Sequence, residues 1–290
     1  MKPWLSCIAG LVAGSLLTVA AADRKLVLLA GNPSHGPADH EHRAGCLLLQ
    51  ECLARVPGLQ VSVVSNGWPA DPAVFQHADA IAVYSDGGDG HPFLQQDHLK
   101  VIGDLARKGV GIGCIHFAVE VPKAKAGVEF TEWIGGYYEH LYSCNPMWSP
   151  DYQKFPDHPI ARGVKPFSVQ DEWYMHMRFR PEMKGITPIL VAKPSDQVRK
   201  GPYVYPAGPY DHIVAGSGQE EVMMWALERP DGGRGFGFTG GHHHKNWGNE
   251  NFRKVVLNAL VWISKTDVPA NGVVSNPTKA QLEANLDPKK

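Results

Sequence analysis

Apolar residues follow two rhythms along this chain. Residues 25–30 (Lys-Leu-Val-Leu-Leu-Ala) form an unbroken apolar run that stops at Gly31-Asn32-Pro33. That is the pattern of a strand buried on both faces and followed by a loop. Over residues 44–55 the rhythm changes, with Ala44, Leu47, Leu48, Cys52 and Arg55 at helical spacing. Residues 59–65 and 80–84 read as the second and third strands, the latter ending in Ser85-Asp86-Gly87-Gly88-Asp89-Gly90. Leu94, His98, Val101, Ile102 and Leu105 mark another helix, closed by Lys108-Gly109 as a cationic last turn and glycine cap. Residues 110–115 form strand four, with His116 at its end.

Strand and helix alternating at this spacing predict an α/β fold: a doubly wound, mostly parallel sheet with right-handed crossovers. The alternation weakens after Val119. Residues 120–220 are rich in Pro, Gly and aromatics and predict long loops with antiparallel edge strands, at 167–169 and 186–192. Regularity returns at 221–227 and 235–239. Asn249 is placed to cap a final helix in which Phe252, Val255, Val256, Ala259, Leu260 and Ile263 form an apolar stripe. From Thr266 the chain is polar, with Pro269, Pro277 and Pro288, and reads as a tail with a short helix near Gln281. No internal repeat or low-complexity tract interrupts this plan.

The first residues stand apart. Met1-Lys2 is a short basic start, residues 5–19 are apolar, and Ala20-Ala21-Ala22 precedes Asp23-Arg24-Lys25. This predicts a secretory signal peptide over residues 1–22 and an exported, periplasmic or secreted, protein; an uncleaved anchor is the alternative. Cys7 precedes most of the apolar stretch, which argues against a lipoprotein cysteine. The division expected is 1–22 signal peptide, 23–265 α/β domain and 266–290 tail. A chain of this length buries roughly 70–75% of its unfolded surface without staples. Net charge is −1 with 20% charged residues, so neither nucleic acid nor an anionic membrane is an expected partner, and no membrane span remains after cleavage. Cys46 and Cys52 share one predicted helix, about 9 Å apart by helical rise, too far for a disulfide. Buried free thiols are expected for most of the cysteines, and no CxxC or zinc-finger spacing exists.

The histidines carry the chemistry. They fall at predicted strand ends: Ser34-His35-Gly36, Cys114-Ile115-His116, and Gly240-Gly241-His242-His243-His244. A parallel sheet collects ligands at the carboxyl ends of its strands, and imidazole suits both proton transfer and metal binding. Between Ser34 and His42 stand three more polar groups, Asp39, His40 and Glu41, near a helix start. They suit a ligand site, and equally helix-capping chemistry with exposed histidines. His116 ends its strand abruptly and faces the crevice, unless it is a satisfied core histidine. Asp86 holds the matching place after strand three, from which its carboxylate could approach His116 and orient it or complete a metal site. Adjacent residues cannot all point one way, so at most two of His242, His243 and His244 reach one ligand. Asp171-Glu172-Trp173-Tyr174 sets carboxylates beside aromatic rings, as in a sugar subsite, although Trp173 and Tyr174 could equally pack. There is no Gly-x-Ser-x-Gly elbow, no third glycine after Gly111-Ile112-Gly113 and no P-loop.

Taken in order, Ser34-His35-Gly36, His40-Glu41, residues 114–118, Gly135-Gly136, Asp157-His158-Pro159-Ile160, residues 171–174 and the stretch from Gly233 to His242 resemble the trehalose-utilisation (ThuA-like) family. The resemblance covers about residues 24–265 and implies a flavodoxin-like or class I glutamine amidotransferase-like sheet. It places His116 where those amidotransferases carry a nucleophilic cysteine, while Cys114 lies two residues back within the strand. That exchange argues against glutamine hydrolysis and for proton transfer or metal binding. The family's association with sugar catabolism implies a sugar or 3-keto-sugar glycoside as the small-molecule partner.

The expected function is therefore carbohydrate processing by His/carboxylate acid–base chemistry of lyase, hydrolase or isomerase type. Catalytic candidates are His116 and His35 as base, with Glu172 and Asp86 as partners. Substrate-binding candidates are His40, Glu41, Trp173, Tyr174 and His242. A divalent metal, with His35, His116 and His242 as candidate ligands, would polarise a carbonyl. The alternative is an exported sugar-binding or accessory protein without turnover. A homo-oligomer is compatible with either.

Overall fold

The structure, a computed structural model, describes residues 23–289; the expected signal peptide lies outside the described residues. Seven strands form the central sheet: β1 (Arg24–Ala30), β2 (Leu59–Val64), β3 (Ala80–Tyr84), β4 (Gly111–Ile115), β5 (Ile186–Ala192), β6 (Glu221–Glu228) and β7 (Arg234–Phe238). Their spatial order is β5-β6-β7-β4-β3-β1-β2. The run from β2 to β7 is parallel, and β6 and β5 join antiparallel at the β7 side. The order β2-β1-β3-β4 is that of flavodoxin-like sheets, in which the chain reverses direction of travel between β1 and β3 and opens a crevice above their carboxyl ends.

Period-two alternation within β1 explains the two layers. Leu26, Leu28 and Ala30 join one core with helix α1 (His42–Leu53) and the last long helix, while Val27 and Leu29 join a second core containing Ile102, Phe130 and Trp133. That second core belongs to α2 (His98–Arg107) and α3 (Lys123–Trp133). The last helix, α4 (Glu250–Ile263), is capped by the Asn249 side chain, which accepts from the backbone of Asn251 and Phe252. It is buried on nearly every side, not along one stripe. Asn258 explains this: it donates to the carbonyls of Ile160 and Arg162 and accepts from Val273 N–H, binding a loop and the tail over the helix.

Three sequence expectations shift. The helix expected over 44–55 begins at His42, so His42 becomes a buried helical residue. Leu94 belongs to a short 3₁₀ turn, Pro92–Leu94, ahead of α2. Phe167–Ser168 pairs with Asp151–Tyr152 in a separate two-stranded ladder and does not extend the central sheet, whose edge is β5. The short tail helix is present at Lys279–Leu282, where Thr278 and Gln281 form a reciprocal capping box. Cys46, Cys52, Cys114 and Cys144 are free thiols. No helix among the described residues is long and apolar enough to cross a membrane.

Candidate metal centre at the strand ends

Loops after β1, β3, β4 and β7 converge above the sheet, and two glycines permit it. A Cβ on Gly31 would lie 2.5 Å from the Ser85 Cβ, and one on Gly87 2.1 Å from the Phe117 carbonyl oxygen. Any side chain there would push adjacent loops apart. The loop after β1 is also bound to the loop after β7: His40 N–H donates to the His242 carbonyl and His244 N–H to that of Ala38, both at 2.9 Å. His35 (φ +59°), His40 (+48°) and His116 (+57°) all adopt left-handed conformations.

The second carboxylate group arrives from the irregular region. Asp171–Glu172 pairs antiparallel with Met147–Trp148. Buried Asp171 accepts from the N–H groups of Gly241 and His242 at 2.9 and 3.0 Å and from the Asn246 amide at 3.0 Å, which fixes the turn bearing His242. Its neighbour Glu172 projects into the crevice.

Four side-chain atoms then meet. His40 Nε2 lies 3.0 Å from His242 Nδ1 and 3.1 Å from His116 Nε2. Glu172 Oε2 lies 2.6 Å from His242 Nδ1 and 3.6 Å from His116 Nε2. All four residues are buried, and their donor atoms lie within 4.8 Å of one another. Outer partners determine what the inner atoms can do. His116 Nδ1 faces the Thr239 carbonyl at 2.8 Å, and a carbonyl only accepts, so this nitrogen carries the proton and Nε2 is bare. His40 Nδ1 donates to Asp86 Oδ1 at 2.8 Å, so its Nε2 is bare as well. Two nitrogen lone pairs are thus aimed at each other across 3.1 Å, which is repulsive without a cation between them.

A proton serves poorly as that cation. Burial, reinforced by the charges of His40 and His242, holds His116 well below the ordinary histidine range. Burial, with His35 and His242, lowers His40 strongly too. Burial also disfavours His242's charge, but the hydrogen bond and charge of Glu172 outweigh it and raise His242. Burial raises Glu172, so without metal this pair shares one proton. A first-row divalent ion fits the donor set better. Metal–nitrogen bonds of about 2.0–2.1 Å place tetrahedral donors about 3.3 Å apart, close to the 2.6–3.6 Å of the four contacts, with all donor atoms within 4.8 Å. The hydrogen bonds from His40 to Asp86 and from His116 to Thr239 are the outer contacts that orient metal-bound imidazoles. Two further groupings, His35-His40-Asp86 and Asp39-His242-His243, are more exposed and reuse rings of the first.

Of the four, His40 and Glu172 line a cavity of about 250 Å³, together with His35, Phe117, Glu120, Asn145 and Tyr174. A wider groove of about 420 Å³ between residues 51–55 and 274–281 contains no histidine.

The structure distributes the sequence candidates unevenly. His116, His242 and Glu172 meet at the centre, and Tyr174 points its hydroxyl at His116 Nε2 from 3.4 Å. His40, expected to touch substrate, occupies the central position, while His35 stacks on it with ring centroids 3.5 Å apart and forms the cavity wall. Asp86 meets His40, not His116, because the His40 ring stands between them. Of the consecutive histidines only His242 enters: His243 bonds Asp39 at 2.6 Å, and His244 Nε2 faces the Leu282 carbonyl. Two substrate-binding expectations are corrected. Trp173 is fully buried against Tyr152, Phe238 and Phe252, with its indole N–H on the Val169 carbonyl. Glu41 points away, accepting from Ala38 and Asp287 N–H and pairing with Lys289 at 3.2 Å. Sequence reasoning missed Asn145, which donates to Glu172 Oε1 at 2.7 Å, and Glu120, whose carboxylate lines the cavity. Glu120 had a signal, four residues beyond His116 in the same strand-end turn. Asn145 had none.

A profile of the family described as trehalose utilisation, ThuA, matches residues 30–263. No curated protein matches the sequence. Among solved structures, a protein from Bacteroides uniformis ATCC 8492 described as ThuA-like shares 13% identity and superposes with a TM-score of 0.57, covering 86% of this chain and 95% of its own. One from Parabacteroides merdae ATCC 43184, described likewise, shares 15% identity at a TM-score of 0.56, covering 89% and 94%. These similarities establish a common fold.

Proposed function

The chain belongs to the ThuA family of trehalose utilisation, and from that premise we propose that it is a carbohydrate-processing enzyme whose divalent metal is held by His40, His116, His242 and Glu172. The observation that carries this reading is the cluster of bare inner nitrogens whose outer nitrogens are already anchored. The metal would act as a Lewis acid on a sugar oxygen, the carbonyl of a 3-keto glycoside above all.

The chain's own residues supply the rest. A 3-keto group acidifies the neighbouring C2–H. A base that removes this proton releases an electron pair to form the C1=C2 bond as the C1–O bond breaks, and the departing alkoxide takes a proton. His116, whose bare Nε2 would be taken up by the metal, leaves the role of base to another group. Glu120 suits proton transfer: its carboxylate faces the cavity and has no hydrogen-bond partner among the described residues. Burial and the charge of Glu172 push it up to about 7. Tyr174 and His35 contact the sugar from the walls. Export through residues 1–22 is part of the same proposal.

The test is turnover of a 3-keto glucoside and its unoxidised parent, with and without added divalent metal, followed by mass spectrometry. Metal-dependent turnover of the keto sugar, lost in His116→Ala, supports the reading. Saturable binding without turnover would instead indicate a sugar-binding or accessory protein.

A further inference from the structure

The mouth of the cavity is furnished differently from its floor. Two strongly exposed large apolar side chains border it, Val204 (47%) and Tyr205 (71%). Both are tied through one residue to the segment that carries His140. Asn145 accepts Val204 N–H at its carbonyl (3.1 Å) and Tyr205 N–H at its side-chain oxygen (3.2 Å). Its amide nitrogen donates to Glu172 Oε1. The Tyr205 ring lies nearly parallel to His140, with centroids 6.1 Å apart and an interplanar angle of 29°, and both rings border the cavity. An exposed aromatic is thus held at a fixed position relative to a ligand of the proposed metal.

Exposed apolar groups gathered at one place mark a binding surface. The cavity of about 250 Å³ lies below the roughly 300–1,000 Å³ of sites that enclose a whole small molecule. It accommodates one sugar ring, and whatever is attached to that ring must leave through the mouth.

We propose that the Tyr205 rim is the subsite for the leaving group, so that the substrate is a glycoside carrying an aryl group or a second sugar ring, not a free monosaccharide. This rests on the carbohydrate reading above. The departing alcohol lies with its flat apolar face against Tyr205, while the oxidised ring occupies the cavity beside Glu172.

The test compares phenyl and methyl β-glucosides, each in parent and 3-keto form, on full-length wild type, Tyr205→Ala and Tyr205→Phe. Affinity is read by calorimetry and kcat/KM by mass spectrometry. One aromatic contact of this kind changes affinity by about 2- to 10-fold. Phenyl glucosides should bind more tightly than methyl glucosides, Tyr205→Ala should abolish that difference, and Tyr205→Phe should keep it. Equal effects of Tyr205→Ala on both glycosides, or none on either, would overturn the subsite. So would ultracentrifugation showing a dimer that Tyr205→Ala dissociates, since a second copy would then cover the rim. A phenyl preference without keto-sugar turnover would leave the subsite standing and remove the proposed reaction. Turnover without the preference would do the reverse.

Discussion

Asp86 offers the sharpest handle on the metal centre because it touches no proposed ligand except His40. Its carboxylate accepts from His40 Nδ1 at 2.8 Å and from Ser34 Oγ at 2.9 Å. It thereby keeps the proton on Nδ1 and the lone pair of Nε2 on the metal side. Outer contacts of this kind are worth about 10- to 100-fold in metal affinity, or about 1.4–2.7 kcal/mol. The Asp86 side chain is 35% exposed, so solvent screens its charge, whereas His40 is buried. Asp86→Asn keeps an acceptor oxygen and loses only the charge, and should weaken binding about 10-fold. Asp86→Ala loses the acceptor too and should approach 100-fold. Metal-free stability should change by less than about 1 kcal/mol in Asp86→Asn and by about 1–3 kcal/mol in Asp86→Ala, which leaves the buried His40 N–H unpaired. Calorimetric titration with Zn²⁺ and with Mn²⁺ measures the first quantity and thermal denaturation with chelator the second. Wild-type affinity in both variants would refute the reasoning, as would a loss of affinity fully accounted for by unfolding.

Four other outcomes are expected. Trp173→Ala should cost about 3–5 kcal/mol in denaturant unfolding, while Trp173→Phe should leave sugar affinity unchanged; a selective loss of sugar binding in the latter would restore Trp173 to the site. Lys289→Ala removes the cation facing the buried Glu41 carboxylate, which keeps its two backbone donors, and should cost about 1–3 kcal/mol, most of it recovered in Lys289→Ala/Glu41→Gln; simple additivity of the two would count against the Glu41–Lys289 pair. Burial lowers His91 to about 3, so the folded state stays neutral while the unfolded chain takes up a proton below 6.5. Stability present above pH 6.5 should fall by about 1.4 kcal/mol per pH unit down to about pH 3, and His91→Gln should lose that slope in acid titration. Glu120 as base must be ionised, so activity should rise with pH through about 7, with metal that neutralises Glu172 moving the limb lower. Glu120→Gln should cut kcat by about 10²- to 10⁴-fold and abolish that limb without changing metal affinity.

The parallel half of the fold is legible in the sequence because buried strands such as 25–30 and 80–84 are continuous apolar runs, and helices announce themselves by caps such as Asn249. Three of the four central side chains are legible for the same reason: His40, His116 and His242 follow those strands. Their division of labour is not. His40 takes the position expected of His35 because φ values of +59° and +48° turn the two rings into a stack, and no pattern of residue types encodes that turn. Glu172 and Trp173 are neighbours with opposite fates: Glu172, at the end of the two-residue strand Asp171–Glu172, faces the crevice, and Trp173, just beyond it, enters the core. Asn145 and Tyr205 are invisible in sequence because their partnership crosses 60 residues, most of them in loops and two-residue strands. Glu41 was misread because the group it serves, Lys289, comes from the far end of the tail.

The most direct measurement is an anomalous-diffraction map from crystals grown with Zn²⁺, recorded at the zinc edge and beside His116→Ala crystals. A single peak about 2.0–2.2 Å from His40 Nε2, His116 Nε2, His242 Nδ1 and Glu172 Oε2, lost or weakened in the variant, is the predicted result. A clean map at these four atoms, with zinc bound elsewhere or nowhere, would contradict the metal centre.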